Sequence, residues 1–275
     1  MTTGDLGGYV IHGGATGKAR LAVLSRVLAP AMAALLDRCG PLAGAFAVDA
    51  GCGGGDVAFA LADRVGATGR VLGFDLDEVK LAMARDEARG RGLAGVTFRR
   101  ASVLDPWPAA GVDLAIMRFV LTHLAEPQAA LARARDSLAP GGVVALVDID
   151  TRGRFCDPPS AAFDRFHELY DAVARRNGGD PAIGARLGRL LEAAGFVGVE
   201  VDLAQPFGRS ADVKAIAPLT LAGVAEAVTA AGLATATEIA ALAAELEAFA
   251  ARPEATVSLP RIFLARGRKP QDARA

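Results

Sequence analysis

Between Ala45 and Asp56 the chain reads AFAVDAGCGGGD, a short apolar run that ends on a carboxylate, Asp49, and breaks into glycine. Glycine takes left-handed backbone angles at no steric cost and lets a ligand come close to the main chain. The residues that follow, VAFALADRV, carry the spacing of one helix face. Strand, loop and helix in that order leave the unpaired N–H groups of the helix's first turn beside whatever occupies the loop. A small polar molecule is the expected occupant.

Spacing argues which one. A dinucleotide fingerprint needs Gly-x-Gly-x-x-Gly with the third glycine beside a diphosphate, and counting from Gly51 and Gly53 that position is Asp56. A carboxylate at a helix N-terminus repels a diphosphate, which disfavours an NAD oxidoreductase. The chain has instead an acid followed by alternating glycines, from Asp49 through Gly51, Gly53 and Gly55. Such a loop suits a cation, and S-adenosyl-L-methionine carries an ammonium and a sulfonium. On this motif the chain resembles the class I S-adenosylmethionine-dependent methyltransferases. Its nearest look is to the ubiquinone/menaquinone-biosynthesis and bacterial natural-product small-molecule enzymes. A glycine-rich turn without a ligand is the plainer alternative.

The resemblance carries roles to particular residues. It places Asp49, Gly51, Cys52, Gly53 and Gly55 in the cofactor loop. Asp75, with Leu76 beside it, ends a second apolar run (RVLGFD), where a carboxylate can accept both ribose hydroxyls; capping of the next helix is the competing role. Ser102 stands where the family has an adenine-binding Asp, a departure that weakens the hydrogen bond, with Asp105 as a substitute in another register and the Val103 N–H meeting the ring. MRFVLTHLAEP resembles the family's fourth motif, in which the Arg118 carbonyl holds the methionine ammonium; there Phe119 and Leu124 read as core, and His123 either as framework under the cofactor or as a base. Tyr9 belongs to a segment that in this family folds over the cofactor, or else packs on the sheet.

These residues need a scaffold, and the rhythm supplies one. After the glycine loop come RVLGFD, VTFRRAS, VDLAIM and GGVVALVDID as strands, separated by helical segments, which implies parallel crossovers with the site at the strands' C-terminal edge. The expected fold is an α/β, Rossmann-like, doubly wound and mainly parallel seven-stranded sheet with the last strand antiparallel. Residues 1–44 read as a helical lid interrupted at Pro30. Residues 45–204 and 256–268 read as the cofactor-binding core, TVSLPRIFLARGRK being its last strand. Residues 151–182 and the alanine-rich 205–255 read as helical insertions forming a substrate cap.

Composition narrows the partners. With 275 residues, 52% hydrophobic and 22% charged, the chain is long enough for a full core. A net charge of −1 gives nucleic acid no electrostatic foothold. Three scattered cysteines form neither a disulfide framework nor a zinc site, and no metal is expected. No signal peptide is visible and no apolar stretch approaches the roughly 20 residues of a membrane span. A cytoplasmic enzyme acting on a small-molecule substrate, compatible with a homodimer, is the expectation.

Methyl transfer is an in-line displacement in which positioning supplies much of the acceleration, so a base is optional. His123, His167, Asp148 and Asp150 are the candidates, a neutral imidazole suiting the task best. His167 shares a helix face with Phe163 and Tyr170, and core packing explains it equally well. The reading is methylation at O, N or C of a small, partly apolar metabolite in secondary or quinone-like biosynthesis. The alternative is a methyltransferase fold that binds a ligand, or catalyses another reaction, with the cofactor as structure.

Overall fold

A computed structural model describes residues 14–271. Helix α1 (Gly14–Arg38) leads into strand β1 (Phe46–Ala50), α2 (Asp56–Val65), β2 (Arg70–Asp75), α3 (Glu78–Gly90), β3 (Val96–Arg100) and β4 (Val112–Arg118). A 3-10 turn at Leu121–His123 precedes α4 (Pro127–Ser137), β5 (Leu138–Asp150), the short β6 (Cys156–Asp157) and α5 (Ala161–Arg176). A second 3-10 turn, Ile183–Arg186, opens α6 (Leu187–Ala193), then β7 (Val197–Ala204) and the short β8 (Phe207–Gly208). The chain closes with α7 (Ala211–Ala230), α8 (Ala236–Ala251), β9 (Thr256–Ser258) and β10 (Arg261–Arg268).

Seven strands form one sheet in the order β3-β2-β1-β4-β5-β10-β7. The first five pair in parallel, and β10 runs antiparallel to both β5 and β7. The central strands are apolar on both faces because helices cover both. Alternate residues sort accordingly. Ala47, Leu114, Ile116, Ala145 and Val147 face one apolar layer with α1, α2 and α3, whereas Val48, Ala115, Met117, Val144 and Leu146 face the other with α4 and α6. The first layer continues into α5, α7 and α8, which pack on one another, with α1 lying against α7.

Two elements differ from the expectation. Helix α1 runs unbroken through Pro30. Leu24, Leu28, Met32, Leu35 and Leu36 are buried on either side of it while Pro30 itself is exposed, so one continuous apolar face outweighs the lost backbone bond. The single last strand expected over 256–268 is two, β9 and β10, parted at Leu259–Pro260, where proline has no N–H to give a ladder. Strand β9 pairs instead with β6 and β8 in a small second sheet.

The expectation about membrane-length stretches also needs correction. Ala19–Arg38 and Ala211–Ala230 are each long and apolar enough to cross a membrane by length and composition alone. Alanine-rich helices reach that threshold without being lipid-facing. Here the two lie against each other, and they are tied by Arg20 Nε donating to Thr220 Oγ1 (3.0 Å) and by the paired Arg26–Asp212 contacts (2.8 Å).

Candidate functional site

The loop after β1 takes its shape from three glycines. Gly51, Gly53 and Gly55 have φ of 75°, 51° and 88°, a region costly for residues with a Cβ. Gly51 N and Cys52 N both donate to the Phe74 carbonyl, at 2.8 and 3.0 Å, which fastens the loop to the end of β2. A Cβ on Gly51 would lie 2.5 Å from Val120 Cγ2. Gly51→Ala is therefore expected to lose about 2–4 kcal/mol of stability, from backbone strain and displacement of Val120 together; urea unfolding against the parent chain measures it.

Carboxylates stand around this loop. Asp75 Oδ2 accepts from Gly53 N at 2.8 Å and its Oδ1 from Asp77 N at 3.0 Å. The helix-capping role belongs to Asp77, whose side chain accepts from Val79 N and Lys80 N. Asp49 is 1% exposed and its Oδ2 has no hydrogen-bond partner. Burial raises its pKa and the positive charge of Arg118 opposes the rise; burial wins, and the group sits at about 7. An unmet carboxylate oxygen on a cavity wall fits a cationic ligand.

The opposite rim is the chain after β4. Arg118 reaches Ser25 Oγ at 3.0 Å. Phe119 has φ of 56°, the one left-handed non-glycine among the described residues, a strained turn of the kind that clusters at ligand sites. Asp148 fixes the next turn: its Oδ2 accepts from Thr122 N at 3.0 Å and its Oδ1 from Ile149 N at 2.9 Å. His123 is buried, and burial, aided by the charges of Arg20 and Lys80, lowers its pKa to about 3. It is neutral under ordinary conditions and a weak proton acceptor.

The glycine loop and the rim after β4 border one cavity of about 880 Å³. Asp49, Gly51, Cys52, Gly53, Asp75, Leu76, Val103, Arg118, His123 and His167 line it. Gly55 and Ser102 do not. Gly55 lies behind the loop, where a Cβ would meet Phe98, Phe59 and Ala84, and the Ser102 hydroxyl accepts from Leu104 N at 3.1 Å. Tyr9 falls outside the described residues. Two candidate bases leave the list: Asp148 is consumed by its backbone bonds, and Asp150 pairs with Arg152 at 2.8 Å, so neither lines the cavity. Phe119 and Leu124, expected in the core, are half-buried: each packs against an apolar layer and also lines the cavity.

Sequence reasoning did not name Arg20, Thr151, Ile216, Thr220 or Leu259, which line the cavity from α1, from the end of β5, from α7 and from the β9–β10 connection. No local motif marks them. Among the described residues no group of three His, Cys, Asp or Glu could hold a metal ion.

The family profile for the methyltransferase domain matches residues 43–195. Aklanonic acid methyltransferase from Streptomyces sp. (strain C5) is 34% identical over 174 residues, 59% of this chain and 79% of that one. The 2-phytyl-1,4-naphtoquinone methyltransferase of Synechococcus elongatus is 33% identical over 125 residues, 45% of this chain and 51% of that one. The chain spans about half the length of the curated relatives matched first. Among solved structures, phosphoethanolamine N-methyltransferase 2 of Haemonchus contortus, in complex with S-adenosyl-L-methionine, has a TM-score of 0.54 at 18% identity, covering 96% of this chain and 54% of that one. That likeness is one of fold.

Proposed function

The chain belongs to the methyltransferase domain family, and from that premise we propose that it transfers a methyl group from S-adenosylmethionine to a small, partly apolar metabolite. One observation carries the reading: the unmet carboxylate of Asp49, the left-handed glycine turn and Asp75 border a single cavity whose remaining wall is mostly apolar. The methyl donor supplies a carbon already activated by a sulfonium leaving group. The chain's own contribution is position and dryness.

Asp75 takes the ribose hydroxyls. A carboxylate has about four acceptor positions, and Gly53 N and Asp77 N occupy two, leaving two for the vicinal pair. Asp49 and the Arg118 carbonyl receive the methionine ammonium, Phe119's left-handed turn setting the chain's direction just after that carbonyl. Val103 borders the adenine. We assign residues 1–44 to a lid over the cofactor, the helices of 151–182 and 205–255 to the cap over the acceptor, and residues 45–204 and 256–268 to the cofactor-binding core.

Relatives named for a naphthoquinone and for aklanonic acid support an acceptor from quinone-like or natural-product biosynthesis. The balanced charge supports a free metabolite over nucleic acid, and the reaction belongs in the cytoplasm, in a chain compatible with a homodimer. Incubation with S-adenosylmethionine and a panel of phenols, quinols and carboxylic acids should release S-adenosylhomocysteine with at least one acceptor. Cofactor binding without release across the panel would favour the reading in which the cofactor is structural.

A further inference from the structure

The cavity wall built by α5, α7 and the β9–β10 connection differs in chemistry from the glycine-loop wall. The carboxylates among the lining residues are Asp49, Asp75 and Asp77, from β1, the end of β2 and the N-cap of α3. None comes from α5 or α7. That wall offers mainly apolar surface, with Tyr170 and Arg176 of α5 and Thr220 of α7 also lining it, and two buried polar groups that lack partners, one on α5 and one just after β5.

The first is His167, 5% exposed, held between Phe163 and Phe166 with ring centroids 4.6 Å away on each side, its Nδ1 without a hydrogen-bond partner. Thr151 is the second. It is 1% exposed; its N donates to the Pro181 carbonyl at 3.0 Å and its carbonyl accepts from Arg154 Nη1 at 2.6 Å, yet its Oγ1 has no partner. A buried polar group left unmet costs roughly 1–3 kcal/mol. Two on one cavity lining are a cost that packing alone does not explain, and a bound ligand removes it.

Their chemistry defines the ligand. Burial, helped by the charge of Arg154, keeps the His167 imidazole unprotonated, so one ring nitrogen accepts a hydrogen bond. The Thr151 hydroxyl can donate one. A hydroxyl group, donor and acceptor at once, can meet either of them. An ammonium could not accept, and it would face a wall without carboxylates.

We propose that this wall binds the acceptor as a flat aromatic ring system bearing a hydroxyl, with the ring against Phe163 and Phe166 and the hydroxyl bonded to His167 and Thr151. The proposal rests on the methyl-transfer reading for the presence of a methyl donor on the other wall.

Calorimetric titration tests it, with 2-naphthol, 2-methoxynaphthalene and 2-naphthoate as probes on the protein loaded with S-adenosylhomocysteine. We expect 2-naphthol to bind at least about tenfold tighter than its methyl ether, the worth of one or two buried hydrogen bonds. In His167→Phe and in the near-isosteric Thr151→Val the preference should fall below about threefold with S-adenosylhomocysteine affinity unchanged. Thr151→Val keeps the test intact should His167→Phe fail to fold. Equal binding of naphthol and ether, tighter binding of naphthoate, no binding of naphthol, or a preference that survives both substitutions would each overturn the proposal. Failure of S-adenosylhomocysteine to bind would instead count against the methyl-donor reading, and naphthol titrated into the unloaded protein would still report on the acceptor wall.

Discussion

Asp75→Ala should lower the affinity for S-adenosylmethionine and S-adenosylhomocysteine by at least about a hundredfold. Two ribose hydroxyls bonded to one carboxylate contribute about 1.5–3 kcal/mol each when an ionised group is the acceptor, and two decades of affinity correspond to about 3 kcal/mol. The same substitution frees Gly53 N, now held by Asp75 Oδ2 at 2.8 Å, and so loosens the turn that must lie against the ligand. Asp75→Asn separates the two contributions. It keeps one carbonyl oxygen but replaces the other acceptor with an amide NH2 donor, and the affinity should fall between those of the parent and of the alanine variant. Because Asp77, not Asp75, caps α3, both variants should keep their helix content and unfold within a few degrees of the parent. Calorimetry gives the affinities and circular dichroism the control. Unchanged affinity in Asp75→Ala would sink the ribose assignment.

Asp75 and the glycine loop were legible because their logic is local. An acid, a turn of alternating glycines and a helix start all fall within Asp49 to Val57, and the left-handed φ values land on Gly51, Gly53 and Gly55 but not on Gly54. The strands were legible for a related reason: in a sheet covered on both faces each central strand is a continuous apolar run. Errors arose where side-chain direction or distant packing decides. Along β5 and just beyond it, Ile149 and Thr151 line the cavity while Asp148 and Asp150 do not, the alternation that a strand imposes. A candidate base chosen by residue type alone was thus as easily placed on the wrong face. The acceptor wall was the least legible part. Thr151, His167, Ile216 and Leu259 meet there from four separate segments, and nothing in any one segment announces the meeting. Pro30 shows the converse, a strong local signal overridden by the buried leucines on either side.

Asp49 should make cofactor affinity depend on pH. In the free protein burial holds its pKa at about 7. A bound ammonium favours the ionised carboxylate and lowers that value, so binding releases a proton when the solution is more acidic than the free pKa. Apparent affinity for S-adenosylhomocysteine should therefore fall about tenfold for each pH unit below 7 and level off above it, until the ligand's own amino group titrates. Few other groups interfere. His123, at about 3, and His167, held well below its ordinary value, stay neutral across this window. Asp148 does not touch the cavity, but burial also raises it to about 7, and it fastens the Thr122 turn. Asp49→Asn distinguishes them: the slope disappears if Asp49 carries it and persists if Asp148 does. Stability of the ligand-free protein should move the opposite way. A carboxylate whose pKa rises from about 4 unfolded to about 7 folded disfavours the folded state when ionised. The penalty of both aspartates is full above pH 7 and fades as pH falls toward 4. Acidification from pH 8 to about 6.5 should thus raise the unfolding temperature of the free protein while weakening its hold on the cofactor; further acidification is opposed by His123 and His167, which take up protons only in the unfolded chain. Calorimetry at pH 6 in two buffers of different ionisation enthalpy should register the release of close to one proton on binding. An affinity constant from pH 5.5 to 7.5 would show that Asp49 does not face the ammonium.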